Sequence, residues 1–219
     1  MPILAKRVLF IDAEAMIIDK PAGLPVTSVR DGSLSLENYL ASLCFGFKRW
    51  PSIVHRLDRD TSGCLLLARN PKMHRRLSEA FSQGQVKKCY WAILEGVPEK
   101  NEGIIDLPLL KISSPKSGWR IVADDKGKRA VTHWEILAKN KGRSLVAFRP
   151  ETGRTHQLRV HAATGLGLPI VGDPFYGSHK DENISRMMLH AHSLEIARLE
   201  KKPIAAEAPL PKAFTDLGF

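Results

Sequence analysis

The chain has 219 residues, 43% of them apolar and 26% charged, and a net charge of +10. That balance is enough for a packed core without disulfides or a structural metal, and the lack of any run of about 18 apolar residues excludes a membrane-spanning helix. The positive excess favours a polyanionic partner, nucleic acid first, over charge carried for solubility alone.

In chain order, Val8–Asp12 and Ala15–Asp19 are short β-rich runs with a tight turn between them. Pro21-Ala22-Gly23-Leu24-Pro25 breaks the pattern. Leu36, Tyr39, Leu40 and Leu43 recur at helical spacing within residues 35–43. Cys64–Ala68 is a continuous apolar run, the mark of a buried strand. Asn70 as N-cap, Pro71 in the first turn and an apolar face of Leu77, Ala80 and Phe81 predict a helix ending near Gly84. Lys88–Gly96, Ala130–Ala138, Ser144–Phe148 and Met187–Ile196 are β-rich, and 155–163 is expected to be helical. Segments 27–34 and 111–129 read as loops. The prediction is an α+β fold: one domain over 1–219, with a mixed, mainly antiparallel sheet and flanking helices and loops.

Cys44, Cys64 and Cys89 form no C-x-x-C pair, and their odd number argues against a disulfide framework. They read as buried, inert thiols in a reducing compartment. The N-terminus is charged too soon for a secretory signal, so the protein is expected in the cytoplasm.

Three stretches have side chains able to do chemistry. In His55-Arg56-Leu57-Asp58-Arg59-Asp60-Thr61-Ser62-Gly63, Asp58 sits among His55, Arg56 and Arg59. A carboxylate among cations stays ionised and is a usable nucleophile or base. The plain alternative is a turn aspartate that, with Thr61 and Ser62, caps backbone N–H groups. In Glu151–His161, Thr155 and Arg159 would share a helix face, with Arg154, His156 and His161 adding donors at or near its start. Such a basic helix start binds anions, or is simply solvated. His156 and His161 are five apart, poor spacing for zinc, so no metal is expected. In Lys87–Gly96, Tyr90 shares a strand face with Ala92 and Leu94, able to stack on a base or to pack in a core. Arg69, Lys72, Arg75, Arg76, Lys87 and Lys88 form one basic cluster; Lys111, Lys116, Arg120, Lys126, Lys128 and Arg129, with Trp119, form another.

Taken together, these stretches resemble the RluA-type pseudouridine synthases. Lys20–Val26 resembles K-P-x-G-L-x-V, His55–Gly63 H-R-L-D-x-x-T-S-G, Lys87–Gly96 K-x-Y-x-A-x-x-x-G, and Pro150–His161 P-x-T-G-R-x-H-Q-L-R-x-H. Gly172–Gly177 resembles G-D-x-x-Y-G, and Leu189-His190-Ala191 and Ala208–Pro211 resemble the C-terminal L-H-A and A-P-x-P elements. His55 separates the chain from the RsuA-type branch, which usually has Gly there, and its length is similar to that of short members without an added N-terminal RNA-binding module, which act on ribosomal and transfer RNA. The resemblance implies an enzyme that flips a uridine out of RNA, cuts its C1′–N1 bond and rejoins C1′ to C5, without cofactor or metal. It assigns Asp58 as the catalytic aspartate, Tyr90 as the ring packing on uracil, Arg159 as the aspartate's partner, Arg56 as the residue filling the vacated space and Leu189 as a pocket residue. His55, Thr61, Arg154, His156 and Gln157 are expected on the substrate side too. The expected partner is ribosomal or transfer RNA, met by a monomer, with no membrane. A non-catalytic RNA-binding module would explain the charge but not the Asp/Tyr/Arg set. A glycosidase wants a matched carboxylate pair, and Asp60 should point away from Asp58.

Overall fold

The computed structural model describes residues 4–29, 32–114, 118–177 and 184–219. Arg30 and Asp31 of the first expected loop, and Lys116 of the second basic cluster, lie outside them. In chain order the strands are β1 (Val8–Ile11), β2 (Ala15–Lys20), β3 (Ser52–Ile53), β4 (Ser62–Ala68), β5 (Val86–Leu94), β6 (Glu102–Asp106), β7 (Leu109–Ser114), β8 (Gly118–Ala123), β9 (Val131–Asn140), β10 (Arg143–Pro150), β11 (Leu189–Arg198) and β12 (Lys201–Glu207). The helices are α1 (Pro71–Ser82), α2 (Gln157–Val160) and α3 (Lys212–Thr215), with 3-10 turns at Leu4–Arg7 and Leu36–Leu43. No described helix is long and apolar enough to cross a membrane.

The chain divides into two compact units, Met1–Lys88 with His190–Leu210, and Cys89–Leu189 with Pro211–Phe219. In the first unit, β2 pairs antiparallel with both β1 and β4, and β11 antiparallel with β12. β4 pairs parallel with β11, where His190 faces Ser62 and Ala191 faces Gly63. All seven β4 residues are buried, as its apolar run predicts. Alternate residues Cys64, Leu66 and Ala68 pack with Met73, Leu77 and Ala80 of α1. Asn70 Oδ1 accepts the Met73 N–H at 2.9 Å, so the predicted cap forms.

In the second unit, β10 pairs antiparallel with β5 and with β9, and β9 with β6. Segment 111–129, expected as loop, contains most of the hairpin β7–β8, with register Lys111 to Ile121 and Ser113 to Trp119. Leu109 and Ile121 pack with Ala130 and Val160 under it. Charged and polar residues on its open face hide the alternation. The expected helix over 155–163 is shorter: α2 begins at Gln157 and widens into a π-turn over His161–Gly165. Thr155 therefore lies outside the helix and shares no face with Arg159.

Candidate active site

The first unit fixes the Asp58 loop through its main chain. Lys20, with 0% exposure, carries its ammonium to three carbonyls: Pro21 at 2.8 Å, Leu24 at 2.9 Å and Arg59 at 3.0 Å. The Gly23 N–H donates to the same Arg59 carbonyl at 2.9 Å. The Lys-Pro-x-Gly-Leu segment is thus a clamp on the residue after Asp58, joining parts of the chain 39 positions apart. Thr61 N–H closes the turn on the Asp58 carbonyl at 3.2 Å. Beyond the turn, a Cβ on Gly63 would lie 2.2 Å from the Ala191 carbonyl, so only glycine allows β4 to run beside β11 here. Ser62 Oγ and His190 Nδ1 are hydrogen-bonded at 2.7 Å in the buried interior. Asp58 itself is half-buried and Arg56 is exposed.

Of the three cations expected around Asp58, one is not a cation. His55 Nε2 accepts the Leu66 N–H at 2.9 Å, and its ring stacks on Phe81 at 4.3 Å. Burial, with the charge of Lys88, pushes its pKa down to about 3. His55 is a neutral support for β4. Arg59 turns outward to Ser33 Oγ at 2.8 Å. The low pKa has a stability consequence. As pH falls below 6.5 the unfolded chain protonates this histidine before the folded chain does. Its contribution is full above that pH and erodes down to about 3. Between pH 6.5 and 5 the loss is about 2 kcal/mol, at ~1.4 kcal/mol per pH unit. Urea midpoints at pH 7.5 and 5.0 check this: wild type should lose more than His55→Asn by about that amount, and equal losses refute it.

The second unit holds Tyr90, Arg159, Arg154, His156, Gln157 and Leu189. Tyr90 stands half-buried on β5, opposite Phe148 of β10. Arg159 is 4% exposed. Its Nε and Nη2 donate to the two carboxylate oxygens of Asp173 at 2.7 Å each, a bidentate fork. Asp173 Oδ1 also accepts the Phe175 and Tyr176 N–H groups at 2.8 and 3.1 Å. Gly172 has φ +74°, and a Cβ there would meet the Arg186 carbonyl at 2.4 Å. The Gly-Asp-x-x-Tyr-Gly element is therefore a cradle for Arg159. Its sequence signal was visible, but not its target.

The remaining expected contacts divide. Gln157 is 4% exposed and spends its whole amide internally. Its Oε1 accepts from Thr152 Oγ1 and Arg154 N–H, and its Nε2 donates to the Val131 carbonyl and Thr132 Oγ1. It clips the 152–154 turn to β9. His156 holds φ +53° and meets the Tyr176 hydroxyl through Nδ1 at 2.9 Å. Trp119, Phe175 and Tyr176 surround its ring at 5.2, 5.8 and 5.7 Å. Arg154 is exposed, its Nε on the Arg129 carbonyl at 3.0 Å. Leu189 is buried, its carbonyl accepting from Arg186 at 3.0 Å.

Residues 14–164 match the family described as RNA pseudouridylate synthase. A ribosomal large subunit pseudouridine synthase D of Zymomonas mobilis is 35% identical over 94% of this chain and 69% of its own. A synthase C of Buchnera aphidicola is 38% identical over 94% and 68%. Among solved structures, human RNA pseudouridylate synthase domain containing 4 superposes with a TM-score of 0.81 at 27% identity, over 97% of this chain and 91% of that one. The Asp58 loop falls inside the matched span, and the match covers nearly all of this chain and about two thirds of the curated enzymes: the chain belongs to the RNA pseudouridine synthase family, isomerases that act on RNA.

Proposed function

We propose that this chain converts uridine to pseudouridine in ribosomal RNA, with transfer RNA as a second substrate class. The observation that carries the reading is identity over nearly the whole chain to enzymes named for the large ribosomal subunit. The net charge of +10 supports it, since phosphate neutralisation dominates RNA affinity.

The reaction breaks C1′–N1, turns the uracil and forms C1′–C5; C5 loses a proton and N1 gains one. The target base leaves its stack first. Asp58 is the carboxylate that acts on the nucleoside, at ribose C1′, at uracil C6 or as a base at C2′. Tyr90 packs on the uracil while it turns. Arg159 supplies the fixed positive charge that orients the aspartate. Arg56, exposed, fills the space left by the flipped base, and Leu189 forms part of the pocket. Residues 1–219 act as one catalytic domain, a cytoplasmic monomer without cofactor; of the three cysteines expected to be buried, Cys64 is, and Cys44 and Cys89 are half-buried.

The test is an unmodified transcript of bacterial large-subunit ribosomal RNA carrying tritium at uridine C5. The protein should release tritium and create discrete carbodiimide-reactive positions. No release from ribosomal or transfer RNA transcripts overturns the reading.

A further inference from the structure

Six residues between the Leu36–Leu43 turn and β3, Phe45-Gly46-Phe47-Lys48-Arg49-Trp50, take no part in the groups described so far. They leave three rings in solvent: Phe45 is 47% exposed, Phe47 42% and Trp50 62%. Lys48 and Arg49 are exposed between them. The Phe47 N–H donates to the Cys44 carbonyl at 3.1 Å. The two residues inside that turn, Phe45 and Gly46, have φ of +45° and +80°. Positive φ at both central positions is the type I′ arrangement, normally filled by Asn-Gly. A phenylalanine there is strained, and its half-exposed ring gains little burial to offset the strain.

Arg69, 5% exposed, lies beneath this turn. Its guanidinium sits 3.7 Å from the Phe47 ring centroid, and its Nη2 donates to the Cys44 carbonyl at 3.0 Å. Its Nη1 is buried and has no acceptor among the described residues. One face of Phe47 is thus held by a cation and the ring still meets solvent. The helix that follows exposes Lys72, Arg75 and Arg76. Exposed rings interleaved with cations, with no acid in the segment, fit single-stranded nucleic acid, whose bases stack and whose phosphates need positive charge. The core of a protein-binding patch is instead poor in charge.

We propose that Phe45–Trp50 is a second RNA-contact surface, on which unpaired bases stack while Lys48 and Arg49 hold phosphates. This rests on RNA being the substrate. It is remote from the chemistry. Ser52 of β3 pairs with Ala68 at the far end of β4, whereas the Asp58 turn enters β4 at Ser62. Six strand steps separate them, about 20 Å, or roughly six nucleotides of stacked strand. The surface reads RNA beyond the target uridine and sets affinity, not the chemical step.

The probes are two fluorescein-labelled 12-mers, oligouridylate and its abasic counterpart, titrated by anisotropy at fixed salt. Trp50→Ala should weaken oligouridylate binding roughly tenfold, and Phe45→Ala with Trp50→Ala further, leaving the abasic 12-mer unchanged. Trp50→Tyr should keep wild-type affinity. Lys48→Glu with Arg49→Glu should weaken both probes. A 5-iodouridine 12-mer should photo-crosslink within residues 45–50. Unchanged oligouridylate affinity in the ring variants, with no crosslink in that segment, overturns the proposal and leaves the face to a protein. Because binding is read apart from turnover, absence of tritium release sinks the enzyme assignment alone.

Discussion

Asp58→Asn should abolish pseudouridine formation, by about 10⁴-fold or more, while the unfolding midpoint stays near wild type and RNA affinity within about twofold. The substitution keeps the size of the side chain and removes its charge. Main-chain bonds and Lys20 hold the loop: the Arg59 carbonyl accepts from Lys20 Nζ and Gly23 N–H, and the Asp58 carbonyl from Thr61 N–H. These bonds are kept in the variant, so the turn should form. An amide is neither a nucleophile nor a base at neutral pH, so no proposed route through C1′, C6 or C2′ survives the change. Tritium release and RNA anisotropy, measured on one preparation, check both halves. Turnover within about tenfold of wild type would remove Asp58 from the chemistry; lost binding together with a lost midpoint would make it structural.

What could be read from sequence follows how local the cause is. The Asn70 cap, the Pro71 start and the apolar run of β4 are decided within a few residues, and they form as predicted. Leu36, Tyr39, Leu40 and Leu43 fit either a 3-10 or an α spacing, so a helical segment was legible but its winding was not. The charge state of His55 was not legible, because Phe81, 26 positions on, supplies the burial that neutralises it. The same holds for Gln157, whose polar run looked like a solvated helix start. Only the distant partners Val131 and Thr132 make it an internal clip. Asp58, Tyr90 and Arg159 are expected at the site as motif members. Lys20 and Asp173 stood in motifs just as visible, but a motif does not say what its cation or carboxylate touches.

Asp173 is the largest of these omissions, and replacing it should be costly in two separable ways. Its side chain is 0% exposed and forms both bonds of the fork to Arg159, itself 4% exposed. Asp173→Asn keeps an acceptor for the Phe175 and Tyr176 N–H groups. It sets an NH₂ group against Arg159 Nε, leaving a buried guanidinium with its counter-charge gone. Breaking one side of such a pair costs about 3–5 kcal/mol, far more than the intact pair is worth. Arg159→Met with Asp173→Asn removes the stranded charge as well, so most of the lost stability should return. Activity should not return, because the role proposed for Arg159 needs its guanidinium and not merely a filled cavity. Denaturant midpoints and tritium release across wild type, both single variants and the double variant separate the two effects. The expected pattern has Asp173→Asn least stable, the double variant near wild type in midpoint, and all three variants reduced at least about 10²-fold in turnover. A double variant that regains both stability and turnover would make the Arg159–Asp173 pair a structural tie only, and would leave Asp58 without its proposed cationic partner.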